Sequence, residues 1–156
     1  MTDIDIKRGV DFTGVNCAFY CFDEKGRILL NKRSTKCRDE HGRWDSGAGA
    51  MEFGEDFEET VRREVREEYC AEILQLEFAG MRSVVRDNNG VKTHWVTAIF
   101  AAKVDPEKVA IGDPVKMEEI GWFDIESLPE PLHSQFHHNF EIVRKNTKLP
   151  LFQFGE

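Results

Sequence analysis

Three glutamates, Glu64, Glu67 and Glu68, stand at i, i+3 and i+4 in the segment 49–70, GAMEFGEDFEETVRREVREEYC. On a helix that turns about 100° per residue, the three carboxylates fall within one sector of roughly 100°. Like charges at such spacing destabilise a helix by about 0.2–0.5 kcal/mol per pair. One explanation is a solvated acidic face, partly neutralised by Arg62, Arg63 and Arg66. The other is a divalent cation among the carboxylates. Hard cations such as Mg²⁺ take oxygen ligands and are typically held by few carboxylates together with substrate phosphates. Gly47, Gly49 and Gly54 precede the acidic run, so the backbone there can approach a ligand closely. Glu55 and Arg63 lie eight residues, about two helical turns, apart.

The surrounding pattern supports a helix at this place. Asp56 is a good N-cap, Glu59 completes a capping box, and Phe57, Val61, Val65 and Tyr69 form an apolar stripe. Residues 12–22 and 27–32 read as two strands of a hairpin around the turn Asp23-Glu24-Lys25-Gly26. Residues 34–43 are polar, without apolar period, and are expected to be a loop. Residues 73–86 and 91–104 read as strands joined by Asn88-Asn89-Gly90, a hairpin signal. A loop over 106–114, a short strand over 120–125 and a last helix over 133–145 complete the chain, with Pro129 and Pro131 breaking regular structure after the short strand. Strands interrupted by one helix and closed by another predict a mixed sheet covered on both faces. No repeat, low-complexity stretch or linker divides the sequence, and residues 1–156 are expected to form one domain.

Bulk composition narrows the function. With 40% hydrophobic and 32% charged residues the chain belongs with folded globules rather than disordered segments. A net charge of −8 disfavours non-specific nucleic-acid binding, so a nucleic-acid partner is not expected. A phosphorylated substrate would need cations or local Arg and Lys to offset the repulsion. No apolar run is long enough to span a bilayer, and residues 1–10 lack a hydrophobic signal core, so no membrane partner and a cytoplasmic location are expected. Cys17, Cys21, Cys37 and Cys70 form no CxxC pair and are expected to be reduced thiols, not a zinc site.

Gly49, Glu55, Arg63, Glu64, Val65, Glu67 and Glu68 stand at the spacings of the Nudix box. The chain thereby resembles the Nudix hydrolase family, of which MutT is a member. It departs from the family pattern at Cys70, where the box has Gly, at Ala71, and at Gly47-Ala48-Gly49, where Pro-Gly-Gly is frequent. Cys70 bears on the helix end, because Gly is favoured where the chain turns through positive φ. Trp44 and the 118–123 segment look like the family's flanking strands, so the likeness covers most of the chain.

The resemblance implies an α/β class fold, the Nudix α/β/α sandwich with a mixed central sheet. It implies that Glu64, Glu67 and Glu68 hold Mg²⁺ or Mn²⁺, with the backbone carbonyl near Ala48 and a carboxylate beyond the box as further ligands. Glu118 is preferred to Glu119 for the last role. Glu55 and Arg63 are expected to orient the loop and helix. The chemistry implied is hydrolysis of a phosphoanhydride in a nucleoside diphosphate derivative. A nucleoside triphosphate, cut to monophosphate and diphosphate, is the first expectation, because the chain lacks the N-terminal extension found in many ADP-ribose enzymes of this family. ADP-ribose or a nucleotide sugar is the alternative, and the protein is expected as a monomer or homodimer. Arg33, Lys36 and Arg38 are candidates to steer the anionic substrate, and Trp95, His94 and Phe12 to stack on a base. His133, His137 and His138 lack a neighbouring carboxylate in sequence and are not assigned a metal, and Phe136 and Phe140 are expected to pack the last helix on the sheet. An isopentenyl diphosphate isomerase-like activity is disfavoured by Ala48, where that family has cysteine. A non-catalytic nucleotide-binding module is disfavoured by the retained carboxylates.

Overall fold

Strand β1, Gly14–Phe22, alternates its side chains between two cores. Cys17, Phe19 and Cys21 face one way and meet Val61, Val65 and Tyr69 of helix α1, Phe57–Tyr69. Ala18, Tyr20 and Phe22 face the other way and meet Phe136, Phe140 and Val143 of helix α2, Phe136–Asn146. Fully burying side chains of this size contributes about 1.5–3 kcal/mol each before the entropy cost. The result is a sheet with one helix on each face, as the mixed pattern predicts. The computed structural model describes residues 5–148.

The sheet is mixed. Its order runs β3, β2, β1, β6, β5, with β4 paired to β1 and β7 to β2. Here β2 is Ile28–Arg33, β3 Trp44–Asp45, β4 Ala48–Ala50, β5 Ile73–Asn88, β6 Val91–Val104 and β7 Met117–Phe123. Strand β1 runs parallel to β6, from Gly14 opposite Trp95 to Phe22 opposite Lys103. The expected β1–β2 hairpin forms, but only Cys21↔Leu29 and Phe22↔Ile28 pair. Beyond them the strands part, and β2 takes β7 as its main partner. That divergence opens the middle of the sheet toward the loops after β2 and β3. The Asn88-Asn89-Gly90 hairpin forms as expected, with Asn89 and Gly90 at positive φ.

Strands β3 and β4 are not marked by any alternation, because two and three residues carry too little period to read. The last helix begins at Phe136, three residues later than its sequence pattern suggests, and β7 begins earlier, at Met117. Helix α1 ends with Cys70 in the left-handed region at φ 57°, its N–H donating to the Arg66 carbonyl. The backbone thus keeps the turn that Gly makes elsewhere, at a cost of about 1 kcal/mol for a residue with a Cβ. Loop residues close this helix end: the Ala110 N–H donates to the Tyr69 carbonyl and the Gly112 N–H to the Glu68 carbonyl. A Cβ on Gly112 would fall 2.0 Å from the Glu67 carbonyl oxygen, so only glycine permits this approach.

Candidate functional site

Helix α1 starts where Asp56 accepts a hydrogen bond from the Glu59 N–H at 2.8 Å. Arg63 then ties the helix to the chain before it. Its Nε and Nη2 grip Glu55 at 2.7 and 2.9 Å, and Nη2 also donates to the Ala50 carbonyl of β4 at 3.1 Å. The same guanidinium reaches Glu64 at 2.7 Å and Glu67 at 3.3 Å through Nη1. Those Arg63 contacts, with the Glu52 N–H, pull the Glu55 carboxyl down to about 2. One arginine therefore fixes the relation between β4, the helix entrance and two of the three box carboxylates.

Glu64 lies against β4. A Cβ on Gly49 would fall 2.0 Å from the Glu64 carboxyl carbon, so the box-start glycine makes room for this side chain. Glu68 stands one turn further along and interacts directly with Glu64. Burial pushes the Glu68 carboxyl well up from the usual carboxylate range, and the neighbouring charges of Glu64 and Asp45 push it further. Glu64 is also raised, by burial and by Glu67, although Arg63 pulls against this. Among the described residues no lysine or arginine closes an ion pair with Glu68. Glu67 differs from both, with its side chain 60% exposed.

Glu68 forms part of the wall of a cleft of about 440 Å³. Ala48, Gly49, Asp45 and Lys116 line the cleft near it, and Arg33, Lys36, Arg38 and Arg86 bring further positive charge. Trp95 lines the cleft as well. Its indole is held under the N-terminal segment, since a Cβ on Gly9 or Gly14 would fall 2.4 or 2.5 Å from ring atoms.

Of the residues singled out from sequence, the structure brings Ala48, Glu68, Arg33, Lys36, Arg38, Trp95 and His133 to the cleft, with Glu64 against Glu68 and Arg63 bonding Glu64 to Glu55. It does not bring Glu118 there. Strand β7 meets β2 with a register shift between Lys32 and Arg33, and the Glu118 side chain turns to Lys32 at 4.0 Å, 44% exposed. His94 and Phe12 are also outside the lining. His94 bonds Ser83 Oγ at 2.8 Å and Thr13 Oγ1 at 3.2 Å, and Phe12 is 50% exposed. His137 and His138 are exposed on α2, while Phe136 and Phe140 pack into the core as expected. All four cysteines are free, and burial pushes the Cys17 thiol up to about 12.

A second acidic group escaped the sequence reading. Asp39, Glu40 and His133 bring ligand-type atoms within 4.8 Å of one another. Their hydrogen bonds are already taken. Arg86 reaches Glu40 at 2.7 Å and Asp39 at 3.3 Å, and Arg33 reaches Asp39 at 2.9 Å. His133 Nδ1 accepts from the Gln135 N–H, so Nε2 carries the proton that it gives to Glu40 at 2.8 Å. Ser134 adds its N–H and hydroxyl to Glu40 at 2.7 and 2.9 Å. Burial raises the Glu40 carboxyl, but these donors outweigh it and the net direction is down. Glu40 sits at φ 50°, a left-handed conformation that the surrounding contacts hold in place. Only the fold could disclose this group, because Arg86 and Ser134 lie 46 and 94 residues from Glu40 along the chain.

Comparison with known proteins agrees with this geometry. The family model described as NUDIX domain matches residues 13–144. The crystal structure of a MutT NUDIX hydrolase from Burkholderia pseudomallei has a TM-score of 0.74 and 28% identity, covering 85% of this chain and 98% of that one. The NAD-capped RNA hydrolase NudC of Chromobacterium violaceum is 30% identical over 120 residues, which are 77% of this chain and 42% of that protein. An isopentenyl-diphosphate Delta-isomerase from Enterobacter sp. (strain 638) is 29% identical over 128 residues, 78% of this chain and 68% of that protein.

Proposed function

The chain belongs to the Nudix hydrolase family, and from that premise we propose that it hydrolyses a phosphoanhydride bond of a nucleoside diphosphate derivative, a nucleoside triphosphate first of all, with Mg²⁺ or Mn²⁺. The observation that carries this reading is the crowding of Glu64 against Glu68, which stands in the cleft wall, without enough positive charge to balance them. Two carboxylates held together in partly desolvated surroundings fit a hard divalent cation, whose charge removes their repulsion. Asp45 and the backbone at Ala48 add oxygen donors nearby. The donor set is oxygen only, which suits Mg²⁺ or Mn²⁺ over softer metals. When bound, such a cation supplies Lewis-acid stabilisation of phosphate charge and activation of water.

The protein's own residues do the rest. Arg63 and Glu55 hold β4 and α1 at a fixed distance, so that Glu68 is presented to the cleft with Glu64 fixed beside it. Arg33, Lys36, Arg38 and Lys116 receive the negative phosphates, and Trp95 offers an aromatic wall for the base. Glu67, more exposed than its two neighbours, contributes charge at the rim. Hydrolysis is favoured over isomerisation of the kind named in one relative, because Ala48 at the cleft carries no group able to exchange a proton.

The test is a panel of nucleoside triphosphates, ADP-ribose and nucleotide sugars, with both products identified by mass spectrometry. Protein stripped with a chelator is expected to be inactive and to recover on adding Mg²⁺ or Mn²⁺. Full turnover in metal-free buffer would overturn the reading.

A further inference from the structure

Tyr69 follows Glu68 in the chain, and its side chain is fully buried in the core beneath α1. Its ring stands edge-on to Phe19, with 6.4 Å between centroids. A phenylalanine would fill that place equally well, so packing does not call for the hydroxyl. The hydroxyl donates to the Ser46 carbonyl and accepts from Asn31 Nδ2, the latter at 2.8 Å. The same Asn31 nitrogen also donates to the Asp45 carbonyl at 3.1 Å. A carboxamide nitrogen has two N–H groups and a phenol one O–H, so every donor of this pair is spent within the link to residues 45 and 46.

The linked segment is the one that faces Glu68. Asp45 ends β3, Ala48 begins β4, and both line the cleft with Glu68. Backbone pairing gives β3 little hold, because only Asn31↔Asp45 and Lys32↔Trp44 pair it to β2. Strand β1 grips the turn that follows. The Phe19 N–H donates to the Gly47 carbonyl at 3.0 Å, and a Cβ on Gly47 would run into the Phe19 ring. The end of α1 is gripped separately, by the N–H groups of Ala110 and Gly112 on the Tyr69 and Glu68 carbonyls. Among the described residues, the Tyr69 hydroxyl makes the side-chain hydrogen bond that joins segment 45–48 to the helix carrying Glu68.

We infer that Tyr69 and Asn31 are positioning residues of the cation site, which hold segment 45–48, with the Asp45 carboxylate and the Ala48 backbone, in a fixed place relative to Glu68. The inference rests on the hydrolase reading with its divalent cation. It adds two side chains, one in the core and one on β2, that set the affinity for that cation. A small hard cation demands its oxygens in a near-ideal arrangement. Oxygens carried by separate parts of the chain meet that demand only if something ties the parts together. Ser46 and Tyr69 lie 23 residues apart, and their hydrogen bond is such a tie. Without it the segment has to be ordered when the ion arrives, which weakens binding. Tyr69 itself touches neither ion nor substrate.

Two variants test it. Tyr69→Phe removes one oxygen and keeps the ring, and Asn31→Leu removes the amide at nearly constant volume. Mn²⁺ alone is titrated into each protein without substrate, the free ion being read by its electron paramagnetic resonance signal. Thermal melting checks the fold. Both variants are expected to bind Mn²⁺ about tenfold or more weakly than the wild type. At saturating Mg²⁺, kcat on the substrate that the nucleotide panel identifies is expected to return toward the wild-type value, because no oxygen has been taken from the site. Val61→Ala opens a cavity in the same core without touching the link. It is expected to melt lower and to keep the wild-type Mn²⁺ affinity, which separates lost positioning from lost stability. Should Tyr69→Phe fold poorly, Asn31→Leu breaks the same link from β2. Wild-type Mn²⁺ affinity in both variants, or an equal loss in Val61→Ala, overturns the inference and leaves the hydrolase reading standing. A wild type that binds no Mn²⁺ overturns the metal-dependent reading, and the inference falls with it.

Discussion

Two acidic clusters border one cleft, and Glu40 of one is lowered while Glu64 and Glu68 of the other are raised. Asp39 and Glu40 are surrounded by Arg33, Arg86, His133 and Ser134, and Glu40 titrates low. Glu64 has only Arg63, which Glu55 already occupies with two bonds, Glu68 closes no ion pair among the described residues, and both carboxyls are raised. Both crowd acidic side chains together, so crowding alone does not separate the two groups. The cation balance around them does. A cluster whose charge is matched by arginines is a structural clasp, here one that fastens the 34–43 loop with its Lys36 and Arg38 to β5 and to the start of α2. A cluster left short of positive charge is where an external cation gains most.

The largest effect is expected from Glu68→Gln. It removes one charge from the deficient cluster, and kcat is expected to fall by roughly 100-fold or more, a loss in the range of metal-site disruption. The metal-free fold should be as stable as the wild type or more so, read by thermal melting. Turnover near the wild-type level would mean that the deficient cluster is only a solvated face.

Glu40→Gln addresses the balanced cluster and should act differently. It leaves Arg86 and His133 with a weaker partner, and a stability loss of about 1–3 kcal/mol is expected. Because the clasp fastens the cationic loop, KM for the substrate is expected to rise more than kcat falls. The apparent Mg²⁺ affinity should not change. A marked loss of metal affinity in this variant would reverse the roles of the clusters.

The pH dependence of stability sharpens the contrast. Glu40 is lowered in the folded protein, so its contribution is present above the unfolded carboxylate value of about 4.3 and is lost as pH falls through the folded value. Urea melts of wild type and Glu40→Gln should therefore converge on acidification. Glu68 is raised, so its protonated form favours the fold at low pH. Metal-free protein then loses stability as pH rises from the unfolded value through the folded one. Glu68→Gln should remove part of that slope, and Mg²⁺ should offset it in the wild type. Identical slopes in wild type and both variants would show that neither carboxyl is shifted.

The smallest effect is expected at β7. Glu118→Gln breaks only an exposed contact with Lys32 at 4.0 Å, and exposed pairs contribute about 0–1 kcal/mol. Activity within about twofold of wild type is expected, in line with the small effects usual for surface substitutions. A large drop in metal affinity would bring Glu118 back to the site by a movement of β7.

Much of this molecule was written in local pattern. The i, i+3, i+4 glutamates, the Asp56 cap and the apolar stripe of Val61, Val65 and Tyr69 define α1 within a few turns of chain, so periodicity alone reveals it. The Glu55–Arg63 clamp is legible through the likeness to the Nudix box, and the structure forms it. The Asn88-Asn89-Gly90 turn marks its hairpin locally. What the sequence left open depends on residues far apart in it. The family pattern prefers Glu118 to Glu119, yet beside a register shift in β2–β7 pairing the Glu118 side chain turns to Lys32. Strands β3 and β4 are too short to show a period and exist because β1 and β2 offer them partners. Arg86 meets Glu40, and Arg82 meets Asn139, only after a 16-residue strand is laid beside the loop and helix it must reach. Side-chain type and spacing determine the chemistry a helix can present. Which carboxylates are neutralised is decided by long-range packing, because hydrogen bonds and ion pairs act over a few ångströms in space.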